Sequence, residues 1–144
     1  MSKIAIIYWS GTGNTEAMAD AIEEAVKDAG ADVSVFEVGD FSDSLDDYDG
    51  LLFGCPAMGD EELEEDEFEP FFAGVEEDLK GRKIGIFGSY EWNDGEWMGI
   101  WADRCKAVEA DLFRGEGLMA YDNPDDEALE ACATYGKEFV EFVG

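Results

Sequence analysis

Short apolar runs, continuous and not alternating, recur along this chain and are separated by stretches with helical spacing. Ile4-Ala5-Ile6-Ile7-Tyr8, Leu51-Leu52-Phe53-Gly54-Cys55 and Ile84-Gly85-Ile86-Phe87-Gly88 carry no polar face, as strands buried on both sides require. Val33, Val35, Phe36 and Val38 mark another short strand, and a fifth is expected within Asp111 to Tyr121. Between them, helical spacing joins Met18, Ile22, Ala25, Val26 and Ala29, then Phe68, Phe71, Phe72, Val75 and Leu79, then Trp97, Trp101, Cys105 and Val108. A last helix, entered through Asn123 as capping residue and Pro124 in the first turn, carries Leu129, Cys132, Gly136, Phe139 and Val143. Strands of this kind alternating with helices give a parallel sheet covered on both faces. The expected fold class is α/β, a three-layer sandwich, with residues 1–144 as one domain large enough for a substantial core.

The first strand breaks into Tyr8-Trp9-Ser10-Gly11-Thr12-Gly13-Asn14-Thr15, and a helix begins at Thr15. Strand, glycine-rich loop and helix start together make a phosphate cradle. Glycines let backbone N–H groups approach an anion, and the helix terminus adds free donors and a positive dipole end. The P-loop requires a lysine after its second glycine, and none follows here. The dinucleotide fingerprint requires a third glycine where Glu16 stands. The anion is therefore expected to be held by neutral donors alone. A plain strand-to-helix turn is the simpler alternative, but one or two glycines would serve it without the hydroxyls.

Charge narrows the partners. The chain has 37 acidic against 9 basic residues, a net of −28. Such a surface repels nucleic acid and anionic membranes and favours partners with basic docking faces. Adaptation to high salt, which screens self-repulsion, is equally compatible with it. There is no histidine, which removes Ser-His-Asp and Cys-His chemistry and most zinc sites. Cys55, Cys105 and Cys132 are odd in number and never in Cys-x-x-Cys, and so read as reduced core residues of an intracellular protein. With no signal peptide or apolar spanning run in view, the expected location is cytoplasmic.

In an open parallel sheet, ligands bind beyond the carboxyl ends of the strands, so the loops after strands 1, 3 and 4 should share one end. The loop after strand 3 is Pro56-Ala57-Met58-Gly59-Asp60-Glu61, and a methionine beside a glycine suits a flat ring. The loop after strand 4 is Ser89-Tyr90-Glu91-Trp92-Asn93-Asp94-Gly95-Glu96. Trp92 has no helical or strand partner there, and a loop tryptophan commonly covers something planar. Trp97 and Trp101, at i and i+4, are expected to pack the following helix instead.

These three motifs, in this order and at these distances, resemble the short-chain, clostridial-type flavodoxins over the full length of the chain. The resemblance implies the strand order 2-1-3-4-5 and FMN as cofactor. It places the phosphate on Ser10, Gly11, Thr12, Gly13, Asn14 and Thr15. Met58 covers the inner ring face and Trp92 the outer. The Gly59–Asp60 peptide faces flavin N5, Glu61 accepts from N3–H, and backbone N–H groups near Glu91 meet the pyrimidine oxygen. Ala57 and Ser89 line the same pocket, Asp122 lies near the ribityl chain, and Pro56 and Tyr90 complete the two loops. Pro56 stands where some relatives have a serine that reaches the phosphate, and Glu91 and Asn93 replace glycines of related sequences.

The function so implied is low-potential, one-electron transfer between the semiquinone and hydroquinone of bound FMN, with no substrate turned over. Carboxylates at Asp60, Glu61, Glu91, Asp94 and Glu96 oppose the anionic hydroquinone. One carboxylate about 12 Å away at an effective dielectric of about 20 costs about 1.4 kcal/mol, or about 60 mV. The implied partners are pyruvate oxidoreductases, hydrogenases, nitrogenase or ferredoxin–NADP reductase, met by a monomer through its acidic rim. A small NAD(P)H-dependent flavin or quinone reductase on the same fold is the alternative, but it needs a nicotinamide site for which no added loop is present. A phosphoacceptor receiver domain needs paired acids after strand 1, an aspartate after strand 3 and a lysine after strand 4. Here those places hold Trp9-Ser10, Cys55-Pro56 and Ser89-Tyr90.

Overall fold

The computed structural model describes residues 2–11, 13–58, 63–91 and 95–144. Among the described residues six strands, β1 (Lys3–Tyr8), β2 (Asp32–Glu37), β3 (Gly50–Gly54), β4 (Lys83–Tyr90), β5 (Asp111–Leu112) and β6 (Leu118–Tyr121), form one parallel sheet. Its order is β2-β1-β3-β4-β5, with β6 also on β4. The helices are α1 (Asn14–Asp28), α2 (Phe68–Val75), α3 (Glu96–Ala107) and α4 (Asp126–Val143).

The continuous apolar runs have the cause assigned to them. Every residue from Ile4 to Tyr8 is buried, and so is every residue of β3. Ala5 and Ile7 point into one core with Phe53, Phe68, Phe72, Trp97 and Trp101, on the side of α2 and α3. Ile4 and Ile6 point into the other with Met18, Ile22, Phe87, Tyr135 and Phe139, on the side of α1 and α4. Each such side chain contributes about 1.5–3 kcal/mol on full burial, so both faces are strongly committed. Trp97 and Trp101, each 1% exposed, pack as the i, i+4 spacing indicates. The three cysteines are buried and unpaired.

Three local features depart from the sequence expectation. Ser89 and Tyr90, expected in the loop after strand 4, are the last two residues of β4 and pair with Ala120 and Tyr121 of β6. The fifth strand is two short strands: β5 pairs with Lys83–Ile84 and β6 with Phe87–Tyr90, at opposite ends of β4. Between them Arg114 (φ 65°) and Gly115 (φ 70°) turn the chain out of the ladder. Arg114 is held in that unfavourable region by Glu138 (2.8 Å) and by the rings of Phe113 and Tyr135 beneath its guanidinium. The cap of α4 is Asp125, whose carboxylate accepts from Ala128 N at 2.8 Å, so Asn123 and Pro124 both precede the helix.

Arg104 of α3 fastens the two helices that follow the loops after β3 and β4. It makes a two-pronged contact with Glu69 (2.6 and 3.0 Å) and another with Glu76 (2.9 and 3.2 Å), above the Phe72 ring.

Candidate cofactor site

Parallel register brings the carboxyl ends of the strands into line. Tyr8 lies opposite Gly54 and Gly54 opposite Phe87, while β4 runs on to Tyr90 beside Tyr121. Beyond the strands the ladder continues through Trp9 N to Gly54 O (2.9 Å), Cys55 N to Phe87 O (3.0 Å), Ala57 N to Ser89 O (2.9 Å) and Asp122 N to Tyr90 O (2.6 Å). These four bonds draw the starts of four loops to one end of the sheet, including the three singled out in the sequence.

The first of these loops is shaped by Ser10. Its hydroxyl oxygen accepts from Gly13 N (3.1 Å) and Glu16 N (3.3 Å), folding the loop back over the start of α1. Gly13 caps the helix at φ 94°, a conformation that L side chains disfavour, and has no side chain of its own to cap α1. A Cβ on Gly11 would come within 2.9 Å of the Trp9 indole, which lies half-buried against the loop. Asn14 and Thr15 begin the helix buried, and their amides are first-turn donors without a partner among the described residues. Thr15 Oγ1 meets Ser89 Oγ at 3.1 Å, both 4% exposed or less. Free first-turn amides, glycine φ angles and hydroxyls without a cation suit an uncharged cradle for a phosphate.

The loop after β3 is fastened at both described ends. Cys55 Sγ accepts from Glu64 N (3.3 Å) and donates to Pro56 O (3.6 Å). The Glu64 carboxylate accepts from Asp66 N (2.8 Å), Glu67 N (2.7 Å) and Phe68 N (2.9 Å), closing the start of α2. Burial pushes the Glu64 carboxyl upward, but the three backbone donors outweigh it and hold it below the ordinary range. Burial pushes the Cys55 thiol up to about 12, with the Glu64 amide pulling down and the Glu64 and Glu69 charges pushing further up, so it stays protonated. Nothing in the sequence marked Glu64, because glutamate is not a favoured cap and its partners form only after the chain has turned back. The Trp97 indole N–H donates to Cys55 O at 3.3 Å, tying α3 to the same point.

Pro56, Ala57 and Met58 are half-buried at this end of the sheet. Tyr90 packs against Trp97 and against exposed Tyr121, with ring centroids 5.8 and 5.4 Å apart. Glu91 is exposed, and Asp122 is exposed at φ 54°. Thr12, Gly59, Asp60, Glu61 and Trp92, each expected to contact the cofactor, lie outside the described residues, as do Asn93 and Asp94. A cavity of about 250 Å³ opens beside the loop between Trp9, Ser10, Glu37, Asp40 and Glu67. A second, of about 530 Å³, lies at the amino end of the sheet near Asp49, Arg82 and Lys83. It is remote from every strand carboxyl end, and its Arg82 is committed to Asp46, Asp78 O and Leu45 O.

A sheet in this order is a doubly wound open α/β sheet, whose ligand seat lies at the β1/β3 switch point, where the cation-free loop before α1 stands. The family pattern described as flavodoxin matches residues 6–136. The chain is 56% identical over 135 residues to a flavodoxin of Megasphaera elsdenii, covering 93% of this chain and 96% of that one. It is 43% identical over 139 residues to a flavodoxin of Clostridium beijerinckii, covering 92% and 96%. The solution structure of two-electron reduced Megasphaera elsdenii flavodoxin superposes with a TM-score of 0.82 at 45% identity, covering 96% of this chain and 98% of that one. The chain belongs to the flavodoxin family, as a short-chain member. It is an FMN-based, low-potential electron carrier and not an enzyme, which sets the reductase alternative aside. Among the described residues no helix is long and apolar enough to cross a membrane.

Proposed function

We propose that FMN sits at the carboxyl end of the sheet with its phosphate on residues 10–15 and its ring between the loops after β3 and β4. The observation that carries this is the start of α1, where Ser10 folds the loop over the helix, Gly13 caps it without a side chain, and the Asn14 and Thr15 amides are left free among the described residues. When bound, FMN would supply the low-potential one-electron chemistry. Ser10, Gly11, Thr12, Gly13, Asn14 and Thr15 bind the phosphate by hydrogen bonds alone. Ala57, Met58 and Trp92 hold the ring and exclude water from its faces, and Gly59, Asp60 and Glu61 face its polar edge. Tyr90, Glu91 and Asp122 border it.

The acidic surface, with its net charge of −28, keeps the reduced cofactor's potential low and steers the protein to basic docking faces. We place it in the cytoplasm as a monomer that passes single electrons to redox enzymes of the pyruvate oxidoreductase, hydrogenase, nitrogenase or ferredoxin–NADP reductase type. A titration of the apoprotein with FMN and with riboflavin, followed by flavin fluorescence, tests the seat. FMN should bind at least about a hundredfold more tightly, the equivalent of two or three charge-assisted hydrogen bonds. Equal affinity for the two flavins would remove the phosphate from the loop.

A further inference from the structure

Thr15 and Ser89 are 74 residues apart in sequence, yet their hydroxyl oxygens meet at 3.1 Å where α1 begins and β4 ends. Each hydroxyl has one proton to give and two lone pairs to offer. If Thr15 gave its proton to Ser89, it would have none for an anion at the helix start. If Ser89 donates, the Thr15 proton is left for that anion. The setting of Ser89 favours the second arrangement once an anion is present. Its backbone is held from both sides, pairing with Ala120 of β6 and accepting from Ala57 N, so its side chain is presented from a fixed strand. Both hydroxyls are buried, Thr15 at 1% exposure and Ser89 at 4%, and of the two only Thr15 stands on the first turn of the helix whose free amides would meet an anion.

We propose that Ser89 is a positioning residue for phosphate recognition: its hydroxyl donates to Thr15 Oγ1 and thereby keeps the Thr15 proton available to the phosphate. Ser89 thus acts through Thr15 and not by touching the cofactor, unlike the direct lining role expected from the sequence. A donated hydrogen bond also polarises the acceptor hydroxyl and strengthens the bond that it makes onward. This rests on the reading that residues 10–15 hold the FMN phosphate.

The test is a double-mutant cycle on the apoprotein, with FMN and riboflavin affinities measured for each variant. Ser89→Ala should weaken FMN by about three- to tenfold, the range of one ordinary hydrogen bond, and leave riboflavin within about twofold. Ser89→Thr, which keeps the hydroxyl, should restore FMN affinity. In a Thr15→Val background, Ser89→Ala should cost nothing further toward FMN. Equal loss for both flavins would show that Ser89 touches the ring or ribityl chain and would overturn the proposal. Additive losses in the cycle would overturn it too, because Ser89 would then act independently of Thr15. Should Ser89→Ala not hold the fold, Ser89→Cys, a poorer donor of similar size, is read against the same outcomes. A wild-type protein that prefers FMN, with a Ser89→Ala variant that keeps that preference undiminished, refutes this inference alone. A wild-type protein without the preference refutes the phosphate seat on which it rests.

Discussion

Glu64→Ala removes three hydrogen bonds that backbone amides of residues 66–68 donate to one buried carboxylate. Bonds to a charged acceptor contribute about 1.5–3 kcal/mol each when the donor would otherwise stay buried. Water can replace part of this at exposed Asp66 and Glu67, and loss of a helix cap costs about 0.5–2 kcal/mol. A loss of about 2–4 kcal/mol follows, or a fall in Tm of about 6–12 °C at about 3 °C per kcal/mol for a domain of this size. Glu64→Gln should cost less, about 1–2 kcal/mol, because its amide oxygen can keep the Glu67 and Phe68 bonds while its NH2 faces the Asp66 N–H. The pH dependence has a definite sign. The folded protein holds the Glu64 carboxyl below the ordinary glutamate range, so its contribution is complete above that range and is lost as pH falls through the folded pKa. Thermal unfolding of the apoprotein, wild type beside both variants, should show gaps that are constant from pH 7 to about 5 and narrow on further acidification. Comparison at each pH cancels the changing repulsion among the other acidic groups. Gaps independent of pH, or Glu64→Ala within about 0.5 kcal/mol of wild type, would refute the buried carboxylate cap.

Three other outcomes follow from the same structure and sequence. Trp92→Ala, removing the expected outer cover of the ring, should weaken FMN by about two- to tenfold from lost aromatic stacking; flavin fluorescence titration measures it, and unchanged affinity would make Trp92 an ordinary surface tryptophan. If Gly59 faces the polar edge of bound FMN as proposed, Gly59→Ala would take from its peptide a conformational freedom worth roughly 1–2 kcal/mol. Spectroelectrochemistry should then show the separation between the two one-electron potentials shrinking by about 50 mV, with an undiminished separation counting against that placement. Arg104→Met leaves Glu69 and Glu76 without their shared partner, so Tm should fall by the equivalent of about 1–3 kcal/mol, and molar salt should recover part of the loss by screening the two carboxylates.

The parallel sheet could be read from the sequence because burial on both faces demands unbroken apolar runs, and those are visible without any tertiary knowledge. The cradle was legible for a similar reason: its glycines and hydroxyls are contiguous. What escaped depends on contacts between distant segments. Arg114 is held in its left-handed conformation by Glu138 and Tyr135 of α4 together with its neighbour Phe113, so of the break between β5 and β6 only Gly115 has a local signature. Glu64 looked like one more acid in the run from Asp60 to Glu69, yet it is 5% exposed and its amide donates to the Cys55 thiol just past β3. Ser89 was expected in the loop after strand 4 but belongs to β4, and its partner Thr15 could be found only once α1 and β4 lay side by side. Asp125 and Asn123 are both good caps, and sequence preference alone does not rank them.

A potentiometric titration of the FMN-loaded protein, followed through its visible spectrum, tests the central claim most directly. Two separate one-electron steps are predicted, the second displaced by more than about 100 mV below free FMN, as two or more nearby carboxylates at about 60 mV each would require. A single two-electron step near the potential of free FMN would contradict an acidic, low-potential, single-electron carrier.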